Sequence, residues 1–201
     1  MSLFRKIFGS SNDTSKSDKE KEEKSPYTPE VKLPIDEMFM LNFKKNGGKF
    51  IYCENLDEIS DNFINILEEN DWFEKDAICY DSRLHYLLDD NKIEHKNVQQ
   101  PSFILSTCEN LIADEGCILF SSNQFRHHKP NDLPTNMIVF ATTSQLVGNK
   151  SDGLRFIKNK YDKEYPSNIT TIKYFEEVKE EDFLHYGSCH KNLYLLLLED
   201  L

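Results

Sequence analysis

The chain has 201 residues, 38% of them hydrophobic and 12% aromatic, which is enough for one sizeable core and excludes a wholly disordered protein. Its formal charge is −11, from 24 Lys and Arg against 35 Asp and Glu, and residues 1–30 carry six of each sign, so the whole excess lies beyond them. A surface that acidic repels phosphate backbones and argues against nonspecific binding to nucleic acid.

In residues 1–8, Leu3, Phe4, Ile7 and Phe8 share one helical face. This short amphipathic segment suits a frayed or self-docked helix, a surface anchor or a docking peptide, two turns being marginal for a helix alone. A charged run follows directly, so the start reads neither as a signal peptide nor as a transmembrane segment. Residues 9–30 are mostly Ser, Asp, Lys and Glu, a disordered polar linker that cannot repay the entropy of ordering. Residues 31–201 are expected to form one domain.

Within that domain, Pro34 suits a first helical turn, and Ile35, Met38, Phe39, Leu41 and Asn42 lead to a stop at Gly47-Gly48. Lys49 to Cys53 reads as a strand, Asn55 as a helix cap, and Ile59, Phe63, Ile66 and Leu67 recur at helical spacing. Asp76 to Tyr80 reads as a second strand, after which Asp81 or Ser82 caps a short helix holding Leu84, Leu87 and Leu88. This strand and helix alternation implies a parallel sheet. Ser102 to Thr107 is apolar, and Leu111-Ile112-Ala113, the turn Asp114-Glu115-Gly116, and Cys117 to Phe120 form a β-hairpin pattern. Asn136 to Ala141 is the clearest buried strand, Ser151 to Tyr161 a helix, and Asn192 to Leu198 a last strand far too short to span a bilayer.

The five cysteines, Cys53, Cys79, Cys108, Cys117 and Cys189, form no Cys-x-x-Cys pair. They carry no signature of a zinc or iron-sulfur site and read as reduced core thiols of a cytoplasmic protein.

Three segments resemble the lactate-utilisation (LUD) family. Thr107 to Ser122 is similar to the family's alanine, acidic residue and glycine before a strand. Leu133 to Ala141 is similar to its Leu-Pro before an apolar strand, and Tyr165 to Ile172 to its Gly-Pro-Ser-Arg-Thr-Ala-Asp-Ile region. Asn168 stands where the family commonly has arginine and Cys117 where it has threonine, while Tyr186 to His190 only faintly matches its Gly-Val-His-Gly. The resemblance spans residues 107–172. It implies a single three-layer α/β/α domain with a mostly parallel Rossmann-like sheet, related to isomerase-like and CoA-transferase-like folds, with a β-hairpin insertion. One subunit type of the family adds ferredoxin-like cysteine clusters to this domain, and a second is the domain alone. Resemblance to the second implies a cofactor-less accessory subunit in oxidation of L-lactate to pyruvate, partnered by iron-sulfur subunits.

Ser106, Thr107, Glu109 and Asn110 follow an apolar strand where a helix is expected, and open α/β sheets collect ligands beyond the carboxyl ends of their strands. If Thr107 or Asn110 caps that helix, its free N–H groups can hold a carboxylate or phosphate; plain capping is the alternative. Thr142, Thr143 and Ser144 occupy the same position after the strongest strand and either orient a small anion or end the strand. Glu109 is the candidate general base or nucleophile, because the distantly related CoA transferases use a glutamate. Arg126, in the basic cluster Arg126-His127-His128-Lys129, suits an anionic substrate, with a plain solvated loop as the alternative, while the adjacent histidines point apart and make a poor metal site. Ser167 and Asn168 are candidate ligand contacts by resemblance. Three readings stay open: the accessory subunit, a stand-alone enzyme or binding domain for a small anion (phosphosugar, folate or acyl-CoA), and a protein-interaction module recruited through residues 1–8.

Overall fold

The computed structural model describes residues 33–96, 98–175 and 189–201. The expected amphipathic segment, linker and Tyr186–Ser188 lie outside them. Nine strands and five α-helices are described: α1 Ile35–Lys45, β1 Lys49–Cys53, α2 Leu56–Glu69, β2 Ala77–Ile78, α3 His85–Asp90, β3 Phe103–Thr107, β4 Asn110–Ile112, β5 Cys117–Phe120, α4 Ser122–Phe125, β6 Asn136–Thr142, β7 Leu146–Val147, α5 Lys150–Lys160, β8 Thr170–Ile172 and β9 Asn192–Leu198.

Local chemistry sets the element boundaries. Asn55 accepts from the Glu58 N–H at 2.9 Å and the Glu58 carboxylate accepts from the Glu54 N–H at 2.8 Å, satisfying two otherwise orphaned donors where α2 begins. Asn149 caps α5 through the Asp152 N–H at 3.0 Å. Pro34 stands one position earlier than expected, as the N-cap of α1, and Gly47, at φ 83°, ends that helix.

The main sheet is fully parallel, in the order β1-β9-β6-β3-β2. Its inner strands are buried on both faces. From β6 and β9, Met137, Val139, Leu193 and Leu195 face one core, while Ile138, Tyr194 and Leu196 face the other. α2, α3 and the turn before α3 cover the second face with Ile59, Phe63, Leu87 and Leu84, and Trp72 stacks on Phe103 with ring centroids 4.9 Å apart. The opposite face packs on α1, through Phe39 and Phe43, and on a second, four-stranded sheet in the order β7-β4-β5-β8. α5 closes the far side of that sheet with Ile157 against Ile112 and Leu119. The expected α/β layering and parallel sheet are present, and the hairpin of β4 and β5 is widened on both sides by β7 and β8.

Two local expectations change. The strand expected over 76–80 forms its ladder only at Ala77–Ile78, because the chain then bends so that Asp81 accepts from the Arg83 N–H and starts a 3-10 turn over Ser82–Leu84. No helix follows β3. The chain crosses from the parallel sheet directly into β4, with the Glu109 N–H donating to Leu119 O at 2.8 Å and Asn110 paired in the ladder opposite Leu119. The helix N-terminus expected beside Thr107 and Asn110 is therefore replaced by a strand-to-strand junction.

Candidate functional site

At the carboxyl ends of β2, β3 and β6 lies a cavity of about 920 Å³. This is where a parallel sheet leaves room for a ligand, and the size is that of a small-molecule pocket. Tyr80, Tyr86, Phe140, Phe156 and Tyr161 supply aromatic surface, while Asp81, Arg83, Thr107, Glu109, Gln145 and Lys160 supply the polar groups. Leu56, Tyr86 and Phe156, at the rim, are 55%, 38% and 44% exposed, a concentration of apolar surface that a ligand would cover.

Glu109 is the electrostatic centre of the floor. Its side chain is inaccessible to solvent and accepts from five donors: Ser121 Oγ at 2.7 Å, Tyr161 OH at 3.1 Å, Asn123 Nδ2 at 3.2 Å, and Gln124 Nε2 and Lys160 Nζ at 3.3 Å. Burial pushes its carboxyl pKa up, but the Ser121 hydrogen bond, the Lys160 charge and the Gln124 and Asn123 amides outweigh burial and hold it below the ordinary value. A carboxylate so fully engaged is a poor proton acceptor, and the geometry fits positioning better than base catalysis: Glu109 fixes Lys160 and Tyr161 against the cavity.

Across the cavity, Asp81 receives Arg83 Nε at 2.9 Å and Nη2 at 2.6 Å, and Thr107 Oγ1 at 3.1 Å. Arg83 hydrogen bonding, against burial, lowers the Asp81 pKa. The lining thus pairs each acid with a base, leaving the exposed edges of Arg83 and Lys160 to meet a ligand. Cys108 also lines the wall, but burial pushes its pKa well up, and burial likewise raises Cys53, Cys79 and Cys117 to about 11, so these thiols are protonated at neutral pH.

The expected site residues separate into groups. Thr107, Glu109 and Thr142 line the cavity. Arg126, Ser167 and Asn168 line a smaller hollow next to it, about 510 Å³, whose wall shares Tyr80 and Asn123 with the cavity. Ser106, Asn110, Thr143 and Ser144 line neither. Ser106 is buried and donates to Thr107 O at 2.9 Å. Asn110 is buried in β4, where its amide donates to Gln145 O at 3.2 Å and its Oδ1 has no partner among the described residues. The hydroxyl turn after β6 does bind an anion, but it is the chain's own: Asp200 accepts from Thr143 Oγ1 at 2.9 Å, Ser144 N–H at 2.8 Å and Ser144 Oγ at 2.7 Å. Among the described residues no cluster of His, Cys, Asp or Glu is arranged to hold a metal ion.

Asp200 extends the acid-base argument. Burial raises its pKa, and hydrogen bonds from the Ser144 side chain and backbone, Thr142 and Thr143 lower it further than burial raises it. Asp81, Glu109 and Asp200 are all depressed in the folded state, so their stabilisation is complete above the unfolded carboxyl range, about pH 4, and is lost as pH falls through the folded values. Urea midpoints are expected to fall between pH 5 and pH 2, less so in Asp200→Asn. Equal slopes in the two proteins would exclude a contribution from Asp200.

Sequence reading missed Asp81, Arg83, Lys160 and Tyr161 as site residues. Asp81 and Arg83 carry the signal of a capped turn only, and Lys160-Tyr161 that of a basic helix end; the sheet alone brings these segments face to face.

No family model matches the chain, and no curated protein matches it in sequence. Among solved structures, the crystal structure of a DUF162 family protein from Deinococcus radiodurans matches it with a TM-score of 0.59 at 11% identity, over 82% of this chain and 96% of that one. Identity that low speaks for architecture alone, and on that ground the chain shares the α/β fold of a DUF162 family protein.

Proposed function

We propose that this chain is a LUD-type ligand-binding domain whose cavity at the carboxyl ends of β2, β3 and β6 takes a small organic molecule. The ligand lays an apolar or ring-bearing body against Tyr80, Tyr86, Phe140 and Phe156 and presents a polar or anionic group to Arg83 and Lys160. The observation that carries this reading is the pairing of a large cavity, at the position parallel sheets reserve for ligands, with a buried network that holds Lys160 and Tyr161 in fixed orientation. That network costs desolvation, which a purely structural end of a sheet avoids by using apolar residues.

The narrower role, a cofactor-less accessory subunit working beside iron-sulfur partners in oxidation of L-lactate to pyruvate, is supported by the sequence resemblance and by the shared fold, DUF162 being the family that corresponds to LUD proteins. No helix among the described residues is long and apolar enough to cross a bilayer.

A thermal-stability screen of the full chain against lactate, pyruvate, phosphosugars, folates and CoA esters tests the reading. A ligand present at 100 times its Kd raises stability by about 2.7 kcal/mol, a shift of several degrees for a domain of this size. The shift is expected to shrink in Arg83→Ala, whose side chain is mostly exposed and whose loss leaves the fold intact. A shift from lactate or pyruvate favours the lactate role. A ligand whose shift is equal in wild type and Arg83→Ala binds elsewhere and contradicts the assignment.

A further inference from the structure

We infer that the hollow beside the cavity is a binding site for an oxyanion, a phosphate or carboxylate group, with Arg126 as its cation. Three arginines are described. Arg83 is held by Asp81 and Arg155 by Asp152, but the Arg126 guanidinium has no carboxylate and no hydrogen-bond acceptor among the described residues. In a chain of 35 acidic residues and net charge −11, an arginine left without an acid is the exception.

Its guanidinium instead lies over the Tyr80 ring, 4.8 Å from the centroid, and the same ring stacks on His128. That contact holds the guanidinium beside the hollow while the residue stays exposed, and a planar guanidinium fork can receive an oxyanion by two parallel hydrogen bonds.

The walls are preorganised. Ser122 N–H donates to Ser167 O at 2.8 Å and Ser167 N–H donates to Ser122 Oγ at 3.0 Å, locking the start of α4 to the loop before β8. Directly after α4 and on that loop, Arg126 and Asn168 sit at φ 54° and φ 52°, a region glycine enters freely and other residues enter at a cost. The conformation of Arg126, which a glycine would relieve, thus carries a guanidinium to the hollow.

Tyr80 and Asn123 line both the hollow and the cavity, and Asn123 Nδ2 also donates to Glu109 at 3.2 Å. The two spaces therefore suit one elongated molecule, its body in the cavity and its oxyanion at Arg126. Only this last step rests on the function proposed above; the anion site itself does not.

The test is a titration of the full chain with inorganic phosphate and, separately, acetate, followed by amide chemical shifts. Either anion is expected to move the resonances of Arg126, His127 and Asn168. Its Kd is expected to rise at least about tenfold in Arg126→Ala and in Arg126→Gly, the loss of charge-assisted hydrogen bonds, and to stay unchanged in Arg155→Ala, which removes the same charge elsewhere. Arg126→Gly relieves the positive φ, so the test survives if the alanine variant folds poorly. Preference for phosphate identifies a phosphoryl end and preference for acetate a carboxylate end. Neither anion moving these residues, or Arg126→Gly binding as wild type does, overturns the site. Anion binding at Arg126 with no organic ligand entering the cavity leaves this site standing and removes the cavity reading alone.

Discussion

Glu109→Ala is expected to lower the free energy of unfolding by about 3–5 kcal/mol, the range for breaking a buried charge network by removing one partner. Five donors converge on that carboxylate. Removing it leaves the Gln124 amide N–H buried without its acceptor, the Ser121 hydroxyl with only its longer contact to Gln124 Oε1, and Lys160 without its counter-charge, and it opens a void beside Cys108. Glu109→Gln keeps the volume but turns one acceptor into a donor facing donors, so its loss is expected to be smaller yet clear. Urea unfolding at pH 7 measures both. An alanine variant within about 0.5 kcal/mol of wild type, the range of ordinary surface substitutions, would show that Glu109 does not anchor the cavity floor.

Gly116→Ala is expected to cost about 3 kcal/mol, near the upper end of ordinary single substitutions. Gly116 closes the hairpin between β4 and β5 at φ 59°, and a methyl group there would lie 2.3 Å from the Asn42 carbonyl carbon and 2.4 Å from the Phe43 nitrogen, both backbone atoms of α1. The approach has a purpose: Asn42 Nδ2 donates to Ala113 O at 2.8 Å, and Asn46 Nδ2 to Glu115 O at 2.8 Å and Gly116 O at 3.0 Å, so Asn42 of α1 and Asn46 at its C-cap satisfy the carbonyls of the turn. Pushing helix and turn apart breaks these bonds and loosens Phe43 in the core. Gly148→Ala is the control, since its methyl group would meet nothing nearer than Asp152 at 3.7 Å. A thermal melt in which both variants behave alike would contradict the argument.

Much of the fold was legible because its signals are local. The bounds of β1 and β9 follow from runs of aliphatic and aromatic residues, and the start of α2 from Asn55, whose side chain caps the first turn, while the helix expected over Ser151 to Tyr161 begins one residue earlier, at Lys150. The order of the sheet was not legible. β9, last in sequence, inserts between β1 and β6, a pairing set by contacts across most of the chain. β7 and β8, of two and three residues, are too short to show a period.

The site was legible in part for the same reason. Polar residues after an apolar run, as at Thr107 to Asn110, look alike whether a helix or a second strand follows, and only the strand pairing of Asn110 with Leu119 decides which. Thr107, Glu109 and Thr142 fell in the cavity because strand ends converge there. Thr143 and Ser144, read as either orienting a small anion or ending the strand, instead hold Asp200, 56 residues on from Ser144, which local sequence does not reveal. Arg83 and Lys160 reach the cavity from a turn and a helix end that nothing but the tertiary fold brings together.

The most direct measurement is a crystallographic fragment screen of the full chain with small aromatic and anionic compounds, which samples many ligand chemistries at once. The cavity assignment predicts that bound fragments cluster between Tyr80, Phe156 and Lys160, in hydrogen-bond reach of Arg83 or Tyr161. Fragments that leave this cavity empty and gather instead at the opposite, amino end of the sheet, around Lys44, Thr135 and His190, would contradict it.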